Sequence, residues 1–335
     1  MTRPHPAHAA GPVCIAGAGA IGLTLAARLA QAGEAVNVLA RGQTLAALRA
    51  EGVILADRDG THHATVTASD RPDFGVQHTL FLCAKAHDLV GLAETVAPMI
   101  GPQTRIVPVV NGIPWWYFQD HATSPPALAF LRAIDPDGRL SAALPRAQIV
   151  GAVTYITAER TAPSRAVTRN PLRMIVGATG RQSPAAAADV AQMLTRAGVA
   201  TEVSPHLRTS LWVKVINNLA TNPLSVVTGA TLREIFSDPA LAGITRQVVD
   251  EALAVAGAYE GAIDITPDAL MAHGATLGDV RTSMLQDFDC GRPLELPAIG
   301  DAVVELGAHK GIPMPHTRSI LDLARYRAAT RTCRA

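Results

Sequence analysis

Several features that mark common functional classes are missing from this sequence of 335 residues. The charge is almost balanced, with 29 basic and 28 acidic residues and no block of like charges, which argues against a nucleic-acid-binding face or a polybasic membrane anchor. No run approaches the roughly 18 to 20 apolar residues that a membrane span needs. These absences favour a small molecule over a nucleic acid or a membrane as the partner.

Cysteine pairs and metal-binding motifs are absent too. The four cysteines form no C-x-x-C pair, and two of them fall in apolar, strand-like runs; they are Cys14, Cys83, Cys290 and Cys333. Buried thiols in a reducing compartment are the simplest explanation, so a cytoplasmic location is predicted. The eleven histidines form no H-E-x-x-H or similar spacing, and no metal site is predicted.

The length indicates more than one domain. The chain exceeds the roughly 250 to 300 residues at which a single core stops growing. Residues 1–11 contain no apolar segment of the signal-peptide type and are expected to be a flexible leader. Strand and helix patterns alternate up to Ser204-Pro205, and the rest is helical. The prediction is an α/β domain with a Rossmann-type, doubly wound parallel sheet over 12–204 and an all-α domain over 205–335, with the active site between them.

A glycine turn follows the first strand pattern, Pro12 to Ala16, and opens a helix. In this G-x-G-x-x-G motif, Gly17 permits a tight turn, Gly19 lets a pyrophosphate approach the backbone, and Gly22 lets the helix pack on the strand. The free amides at the helix start, at Ala20 and Ile21, would receive the phosphate charge. A chance glycine turn is the alternative, but a second strand pattern follows the helix and favours dinucleotide binding.

The end of the second strand pattern indicates which dinucleotide binds. An NAD site places an acidic residue there for the ribose 2′-hydroxyl, yet no Asp or Glu occurs between Glu34 and Glu51. Arg41 stands there instead, and a guanidinium suits a 2′-phosphate. NADP(H) is therefore the predicted cofactor, and a solvent-facing arginine is the alternative.

Two later strand patterns end in polar residues. Thr79 to Ala84 leads into Lys85, and Arg105 to Val110 leads into Asn111. Ligands in doubly wound sheets bind outside the carboxyl ends of the strands, so both residues are candidates for the nicotinamide and substrate. Without a ligand they would be ordinary strand-exit residues.

Four aromatic residues follow Asn111 directly, at Trp115-Trp116-Tyr117-Phe118. They open a segment, Pro114 to Ala147, that contains several loop signals. The favoured interpretation is packing on the sheet, and a lid or a subunit contact is the alternative.

A polar stripe marks the helix predicted from about His206 to Thr228. Lys214, Asn218 and Asn222 are spaced at i, i+4 and i+8 and therefore share one face of an otherwise apolar helix. Burying a lysine without a partner costs several kcal/mol, so the stripe indicates a cleft, unless it merely touches solvent. Pro223 has no amide hydrogen, so a kink or an end is expected near Asn222.

Taken together, six motifs resemble the ketopantoate reductase family in order, from Pro12 to about Arg327. They are the glycine turn with its following arginine, Ala-Lys-Ala at Lys85, Asn-Gly at Asn111, Leu-Trp-x-Lys-x-x-x-Asn-x-x-x-Asn-Pro at Lys214, Ser-Met-Leu-Gln-Asp at Ser283, and Glu295. The resemblance implies reduction of 2-dehydropantoate (ketopantoate) to D-pantoate by NADPH, in pantothenate biosynthesis.

The resemblance also implies roles for single residues. Lys214 would be the general acid, and Glu295 would orient it and contact substrate and cofactor. Residues implied to bind substrate are Asn111, Asn218, Asn222 and Ser283, and Lys85 and Asn111 are implied to lie at the nicotinamide. A nearby carboxylate suits the chemistry, because it keeps the lysine charged and in place. Glu295 could otherwise be an ordinary helix-start glutamate.

One departure concerns substrate recognition. The family often has asparagine three residues before the serine of the Ser-Met-Leu-Gln-Asp motif, where this chain has Val280. The segment after Asn111 is also longer than in compact members. The alternative functions are reduction of another 2-keto or 3-keto acid, or NADP(H) binding by a regulator without turnover. A homodimer is compatible with the sequence.

Overall fold

The computed structural model describes residues 11–118, 131–180, 184–261, 263 and 265–332. The chain divides into two compact units, and the first comprises residues 1–110 and 139–207. The second comprises residues 111–138 and 208–335. The sequence-based division therefore differs for 111–138, which was expected in the first domain. Residues 1–10 of the expected leader lie outside the described residues.

The first unit contains a parallel sheet and two further sheets. Its strands are β1 (Val13–Ala16), β2 (Val36–Leu39), β3 (Val53–Asp57), β4 (Gly60–Ala64), β5 (Thr67–Ser69), β6 (Thr79–Leu82), β7 (Arg105–Pro108), β8 (Val150–Thr154), β9 (Ala158–Ala162), β10 (Arg165–Thr168), β11 (Arg173–Ala178) and β12 (Ala200–Val203). Its helices are α1 (Ala20–Gln31), α2 (Gly42–Glu51), α3 (Leu89–Val96), α4 (Arg139–Ala143) and α5 (Pro184–Arg196). Short 3₁₀ turns occupy Ala86–Asp88, Ala97–Met99 and Arg146–Gln148.

The parallel sheet has the strand order β5-β2-β1-β6-β7. Its central strand β1 pairs with β2 and β6 in parallel, and Val13 lies opposite both Val36 and Thr79. All four residues of β1 are inaccessible to solvent, as a strand covered on both faces requires. The Rossmann-type α/β prediction, with a helical C-terminal region, is confirmed.

The other two sheets contain antiparallel pairs, in the orders β4-β3-β10-β9 and β12-β11-β8. The hairpin β3-β4 pairs Asp57 with Gly60, so its turn lies at Arg58 and Asp59. Strand β9 is largely exposed, which removes the alternation of apolar residues that would identify it.

The second unit is helical. Its helices are α6 (Leu207–Thr228), α7 (Leu232–Ser237), α8 (Pro239–Glu260), α9 (Pro267–Ala275), α10 (Ser283–Asp289), α11 (Ala302–His309) and α12 (Pro315–Thr332), and α11 continues from a π-helical turn at Pro297–Asp301. Helix α6 passes through Pro223 and ends at Thr228, which confirms the helix predicted from about His206 to Thr228. Of the kink or end expected near Asn222, the end does not occur. The proline removes one hydrogen bond, and the burial of Leu224 and Val226 beyond it stabilises the helix.

The aromatic residues after Asn111 pack within this helical unit, so the favoured prediction of packing on the sheet is wrong. Trp115, Trp116, Tyr117 and Phe118 are all buried. The ring of Tyr117 meets Trp212 of α6 edge to face at 6.1 Å between centroids, and Phe118 meets Tyr259 of α8 at 5.5 Å. Aromatic pairs in this geometry add to the apolar burial.

Among the described residues, no helix is long and apolar enough to cross a bilayer. Within the same ranges, no group of three or more His, Cys, Asp or Glu side chains is placed to hold a metal ion.

Candidate active site

The polar stripe of α6 lies as the spacing predicts. Lys214 and Asn218 are half-buried and Asn222 is buried, while Leu211 and Val215 are buried in the core of the helical unit. In the described part of the chain, the side chain of Asn218 makes no hydrogen bond. Its amide therefore keeps both donors and acceptor available for a ligand.

Asn111 is held by the backbone that follows it. The amide of Ile113 donates to the carbonyl of Ala298 over 2.9 Å, in the π-helical turn after Glu295. Gly112 has a φ of +81°, and a Cβ there would lie 2.2 Å from the same carbonyl oxygen. Only glycine permits both the conformation and the close approach. This contact places Asn111 beside Glu295.

Lys214, Asn111 and Glu295 form a hydrogen-bonded chain. The Nζ of Lys214 donates to Oδ1 of Asn111 over 2.8 Å, and Nδ2 of Asn111 donates to Oε2 of Glu295 over 3.4 Å. Because an ammonium only donates, the amide oxygen must face Lys214 and the amide nitrogen must face Glu295. Glu295 is 5% exposed. Asn111 thus connects Lys214 with Glu295, the two residues that the family resemblance implied would act together.

The electrostatics of this group suit proton donation. Burial lowers the pKa of the Lys214 ammonium from its ordinary value of 10.5 to about 8, and the Glu295 carboxylate opposes this change. An acid with a pKa near the working pH is both charged and able to release its proton.

A second group joins the end of α6 to the start of α10. The Ser225 hydroxyl donates to the carbonyl of Asn222 over 2.7 Å and lies 2.6 Å from the hydroxyl of Thr282. Thr282 caps α10 by accepting from the amide of Leu285. Ser283, the next residue, is exposed, and within the described ranges its side chain makes no hydrogen bond. Ser283 therefore begins α10 directly after the buried Thr282, with its hydroxyl available.

The sequence prediction missed Ser225 and Thr282. Thr282 carries a detectable signal, because a threonine just before a short apolar helix is a typical N-cap. Ser225 carries none, since its partner is 57 residues away. The role of Gly112 was also missed, although a glycine after a strand-exit asparagine indicates a special backbone conformation.

The glycine turn of the first unit fits a dinucleotide. Gly17 has a φ of +105°, and a Cβ on it would lie 2.7 Å from the carbonyl oxygen of Cys83. A Cβ on Gly22 would lie 2.0 Å from the carbonyl oxygen of Gly17, whereas a Cβ on Gly19 would approach no atom more closely than the carbonyl oxygen of Cys83, at 4.0 Å. Close packing beneath the turn and space above it match what a pyrophosphate requires.

The start of α1 is equally suited to an anion. Its N-cap is Gly19, no side chain caps it, and its first turn contains no acidic residue. Ala20 and Ile21 begin the helix and are half-exposed. The unpaired amides of a helix N-terminus carry partial positive charge and attract phosphate. These residues fit a nicotinamide dinucleotide.

Arg41 and Lys85 lie beyond the ends of β2 and β6. Arg41 is exposed at the N-cap of α2, and in the part of the chain that the structure describes its guanidinium makes no hydrogen bond or ion pair. Lys85 is half-buried at the N-cap of the 3₁₀ turn Ala86–Asp88. Both positions follow carboxyl ends of parallel strands, as predicted.

Comparison with known proteins agrees with this arrangement. Residues 13–181 match the family "Ketopantoate reductase PanE/ApbA", and residues 206–328 match "Ketopantoate reductase PanE/ApbA C terminal". The 2-dehydropantoate 2-reductase of Mesorhizobium japonicum is 34% identical over 324 residues, which cover 96% of this chain and 99% of that protein.

Solved structures show the same fold. A protein assigned as a ketopantoate reductase from Ralstonia solanacearum MolK2 is 38% identical with a TM-score of 0.90, covering 96% of this chain and 99% of that one. D-mandelate dehydrogenase with NADH and anilino(oxo)acetate is 19% identical with a TM-score of 0.82, covering 95% and 99%, a likeness of fold alone. The chain belongs to the ketopantoate reductase family, whose members are nicotinamide-dinucleotide-dependent oxidoreductases that act on CH–OH groups.

Proposed function

We propose that this protein reduces 2-dehydropantoate (ketopantoate) to D-pantoate with NADPH, as a step of pantothenate biosynthesis, with Lys214 as the general acid. The observation that carries the proposal is the hydrogen-bonded chain from Lys214 through Asn111 to Glu295. A regulator without turnover would have no need for a half-buried ammonium held in this way. The family membership and the glycine turn support reduction by a nicotinamide cofactor.

Lys214 acts on the keto oxygen of the substrate. NADPH, when bound, would supply the hydride for C2 of the keto acid, and negative charge would then develop on the keto oxygen. The Lys214 ammonium stabilises this charge by hydrogen bonding and then transfers its proton to the oxygen. A pKa of about 8 leaves the amine mostly protonated at neutral pH.

Asn111 and Glu295 keep Lys214 charged and oriented. The Asn111 oxygen accepts one ammonium proton, which fixes the side chain while the other protons remain for the substrate. The buried Glu295 carboxylate favours the charged lysine. The Glu295 oxygens can also accept a hydrogen bond from the terminal hydroxyl of ketopantoate. We further propose that Asn111 and Glu295 lie near the nicotinamide.

The substrate carboxylate is assigned to the amide and hydroxyl donors of α6 and α10. The side chain of Asn222 supplies an amide donor, and its oxygen lies 3.3 Å from the Thr221 hydroxyl. Asn218 and Ser283 supply further donors. Three neutral donors can bind a carboxylate, so the Lys214 ammonium is not needed for that contact.

NADP(H) is assigned to residues of the first unit. Gly17, Gly19 and Gly22 would shape the pyrophosphate site, and the amides of Ala20 and Ile21 would bind the phosphates. Arg41 would bind the 2′-phosphate, because its guanidinium stands where an NAD site has an acidic residue. Lys85 would lie at the nicotinamide.

A second candidate substrate is a 2-keto acid with an apolar branch. Val280, three residues before Ser283, is 43% exposed and offers an apolar surface where the family often has asparagine. The same fold in D-mandelate dehydrogenase accommodates an aryl-substituted ligand. Such a substrate would use the same acid and cofactor.

The test is NADPH oxidation with ketopantoate, with 2-ketoisovalerate, which lacks the terminal hydroxyl, and with phenylglyoxylate. We expect the highest kcat/KM for ketopantoate and a product that is D-pantoate by chiral chromatography. A preference for either acid without the hydroxyl would overturn the substrate but keep the reductase. NADPH binding without oxidation of any keto acid would favour the regulator.

A further inference from the structure

The segment Asn111–Phe118, here called the aromatic segment, contacts helix α6 on two sides. At one end, Asn111 accepts from Lys214. At the other end, Tyr117 accepts from the indole nitrogen of Trp212 over 2.7 Å. Lys214 and Trp212 are two positions apart, which separates their directions by about 200° around the helix. One short segment therefore holds both the lysine and the opposite face of its helix.

Tyr117 makes contacts in three directions. Its hydroxyl donates to the carboxylate of Glu260 at the end of α8, while it accepts from Trp212. The Nε of Arg208, one turn before Trp212, donates to the Tyr117 carbonyl over 3.2 Å. Tyr117 and Trp212 are both completely buried. Removing the hydroxyl would leave the indole N–H of Trp212 in the interior without its partner.

The charge of the neighbours keeps the Tyr117 phenol neutral. Burial, together with the Glu260 carboxylate, raises the pKa of Tyr117 far above its ordinary range. The phenol is therefore protonated at every pH at which the protein functions, and it donates and accepts at the same time. The Tyr117 phenol itself does not titrate in this range, so a pH effect of its loss must arise at another group.

Two sets of contacts thus fix the position of Asn111, one relative to Glu295 and the other relative to Lys214. The bond from Ile113 to Ala298 fixes it relative to Glu295. The contacts of Tyr117 with Trp212 and Arg208 fix the same segment relative to α6 and hence to Lys214. A turn in which the Tyr117 amide donates to the carbonyl of Pro114 keeps the segment compact between these contacts.

From this geometry, and resting on the proposed role of Lys214, we propose that Tyr117 is a positioning residue. It holds the aromatic segment on α6 so that Asn111 stays within hydrogen-bond distance of the Lys214 ammonium. Among the described residues, the charged neighbour of Lys214 is Glu295. The charged neighbours of Tyr117 are Glu260 and Arg208.

The test is Tyr117→Phe, which keeps the ring and removes the hydroxyl. We expect kcat on ketopantoate to fall about tenfold with the KM for NADPH unchanged, because a misplacement of 1 Å can cost about 10²-fold. The ammonium would lose an acceptor that favours its charged form, so the basic limb of the kcat profile should move about half a unit to lower pH. Partial unfolding would reduce the amount of active enzyme and leave the limb where it is.

Thr317→Val is the matched control, because it removes a buried hydroxyl and keeps the shape of the side chain. The Thr317 hydroxyl donates to the carboxylate of Glu251 over 2.6 Å, also within the helical unit. This variant should keep the wild-type kcat and pH profile. A pH shift of equal size in both variants would overturn the positioning role.

The titration of Lys214 can also be measured without substrate. Lysine occurs only at positions 85, 214 and 310, so competitive amine labelling at different pH values with mass spectrometry gives a separate curve for Lys214. If the wild type fails to reduce ketopantoate, the proposed function fails, yet the lower Lys214 pKa in Tyr117→Phe would still support positioning. A folded Tyr117→Phe variant with the wild-type Lys214 curve would overturn it.

Glu260 provides the test if Tyr117→Phe does not fold. Glu260 is half-buried, so its replacement disturbs packing less. Glu260→Leu removes the acceptor of the Tyr117 hydroxyl and should lower both kcat and the Lys214 pKa, whereas Glu260→Gln keeps an acceptor and should restore both. Wild-type values in Glu260→Leu would overturn the proposal.

Discussion

The two units build their candidate sites in opposite ways. In the first unit the glycine turn works because side chains are absent, since Cβ atoms on Gly17 and Gly22 would meet backbone atoms at 2.7 and 2.0 Å. In the second unit, Lys214 is useful because Asn111 and Glu295 contact it and are themselves fixed. The first site depends on backbone conformation, and the second on polar side chains that hold one another.

This difference determines which substitutions are harmful in each unit. Adding a methyl group to the glycine turn forces a backbone shift, which costs about 1 to 3 kcal/mol in a close-packed interior. Removing a polar group from the helical unit leaves its partners unpaired, which costs a similar amount and also misplaces the acid. The following experiments test the comparison from the largest expected effect to the smallest.

Lys214→Met removes the acid but retains the length of the side chain. We expect kcat to fall by about 10² to 10⁴, which is the usual contribution of a general acid, with NADPH affinity unchanged. Steady-state kinetics with fluorescence titration of NADPH would separate the two quantities. If the variant folds and turns over at the wild-type rate, Lys214 is not the acid.

The pH profile sharpens this prediction. Because the pKa of Lys214 is about 8, the wild-type kcat should be constant below that pH and decline above it, where the amine loses the proton it must donate. The residual activity of Lys214→Met should lack this decline. A wild-type profile that rises above pH 8 would indicate a neutral amine as the active form.

Gly22→Ala tests the first unit. The added methyl group would collide with the carbonyl oxygen of Gly17, so we expect NADPH affinity to fall about ten- to a hundredfold. Gly91→Ala is the matched control, because a Cβ on Gly91 of α3 would meet nothing within 4 Å. Isothermal titration should show normal binding for the control, and equal losses in both variants would contradict the role of close packing.

Arg41→Ala tests whether a side chain of the first unit contributes to coenzyme affinity. A charge-assisted contact with the 2′-phosphate contributes about 1.5 to 3 kcal/mol, so NADPH affinity should fall about ten- to a hundredfold while NADH affinity changes little. Arg49→Ala, on the same helix, serves as the control, since its guanidinium bonds the carbonyl of Ala68. Equal losses for both coenzymes would refute the assignment of Arg41.

The smallest effect is expected at Val280→Asn. The added amide should lower the KM for ketopantoate about two- to tenfold, as a neutral hydrogen bond does, and leave kcat within a few-fold. Leu277→Asn is the control, because Leu277 is similarly exposed, at 37% against 43%. An unchanged KM for ketopantoate in the Val280→Asn variant would show that residue 280 does not contact the substrate.

The sequence predicted correctly those features that depend on a few neighbouring residues. The spacing of Lys214, Asn218 and Asn222 predicted the face of α6, and the spacing of the glycines predicted the turn between β1 and α1. Both rely on periodicity or on backbone conformation, which a few neighbouring residues decide.

Long-range contacts were the limit of the sequence prediction. The aromatic residues from Trp115 to Phe118 were recognised as a packing group, but Trp212, the partner of Tyr117, is nearly a hundred residues away, and nothing local favours α6 over the sheet. Pro223 shows how packing limits a local preference. Proline disfavours continuation of a helix, yet α6 continues to Thr228, as its predicted bounds required, with Leu224 and Val226 buried beyond the proline.

The contact between Gly112 and Ala298 limits how such an enzyme can diverge. A Cβ at Gly112 would lie 2.2 Å from the carbonyl oxygen and 2.3 Å from the carbonyl carbon of Ala298, besides 2.9 Å from its Cβ, so substitution at residue 298 alone cannot create space there. The separation of Asn111 and Glu295 is therefore set by a backbone contact that a single side-chain substitution does not relax. We expect changes in substrate range to fall instead on exposed positions such as Val280 and Ser283.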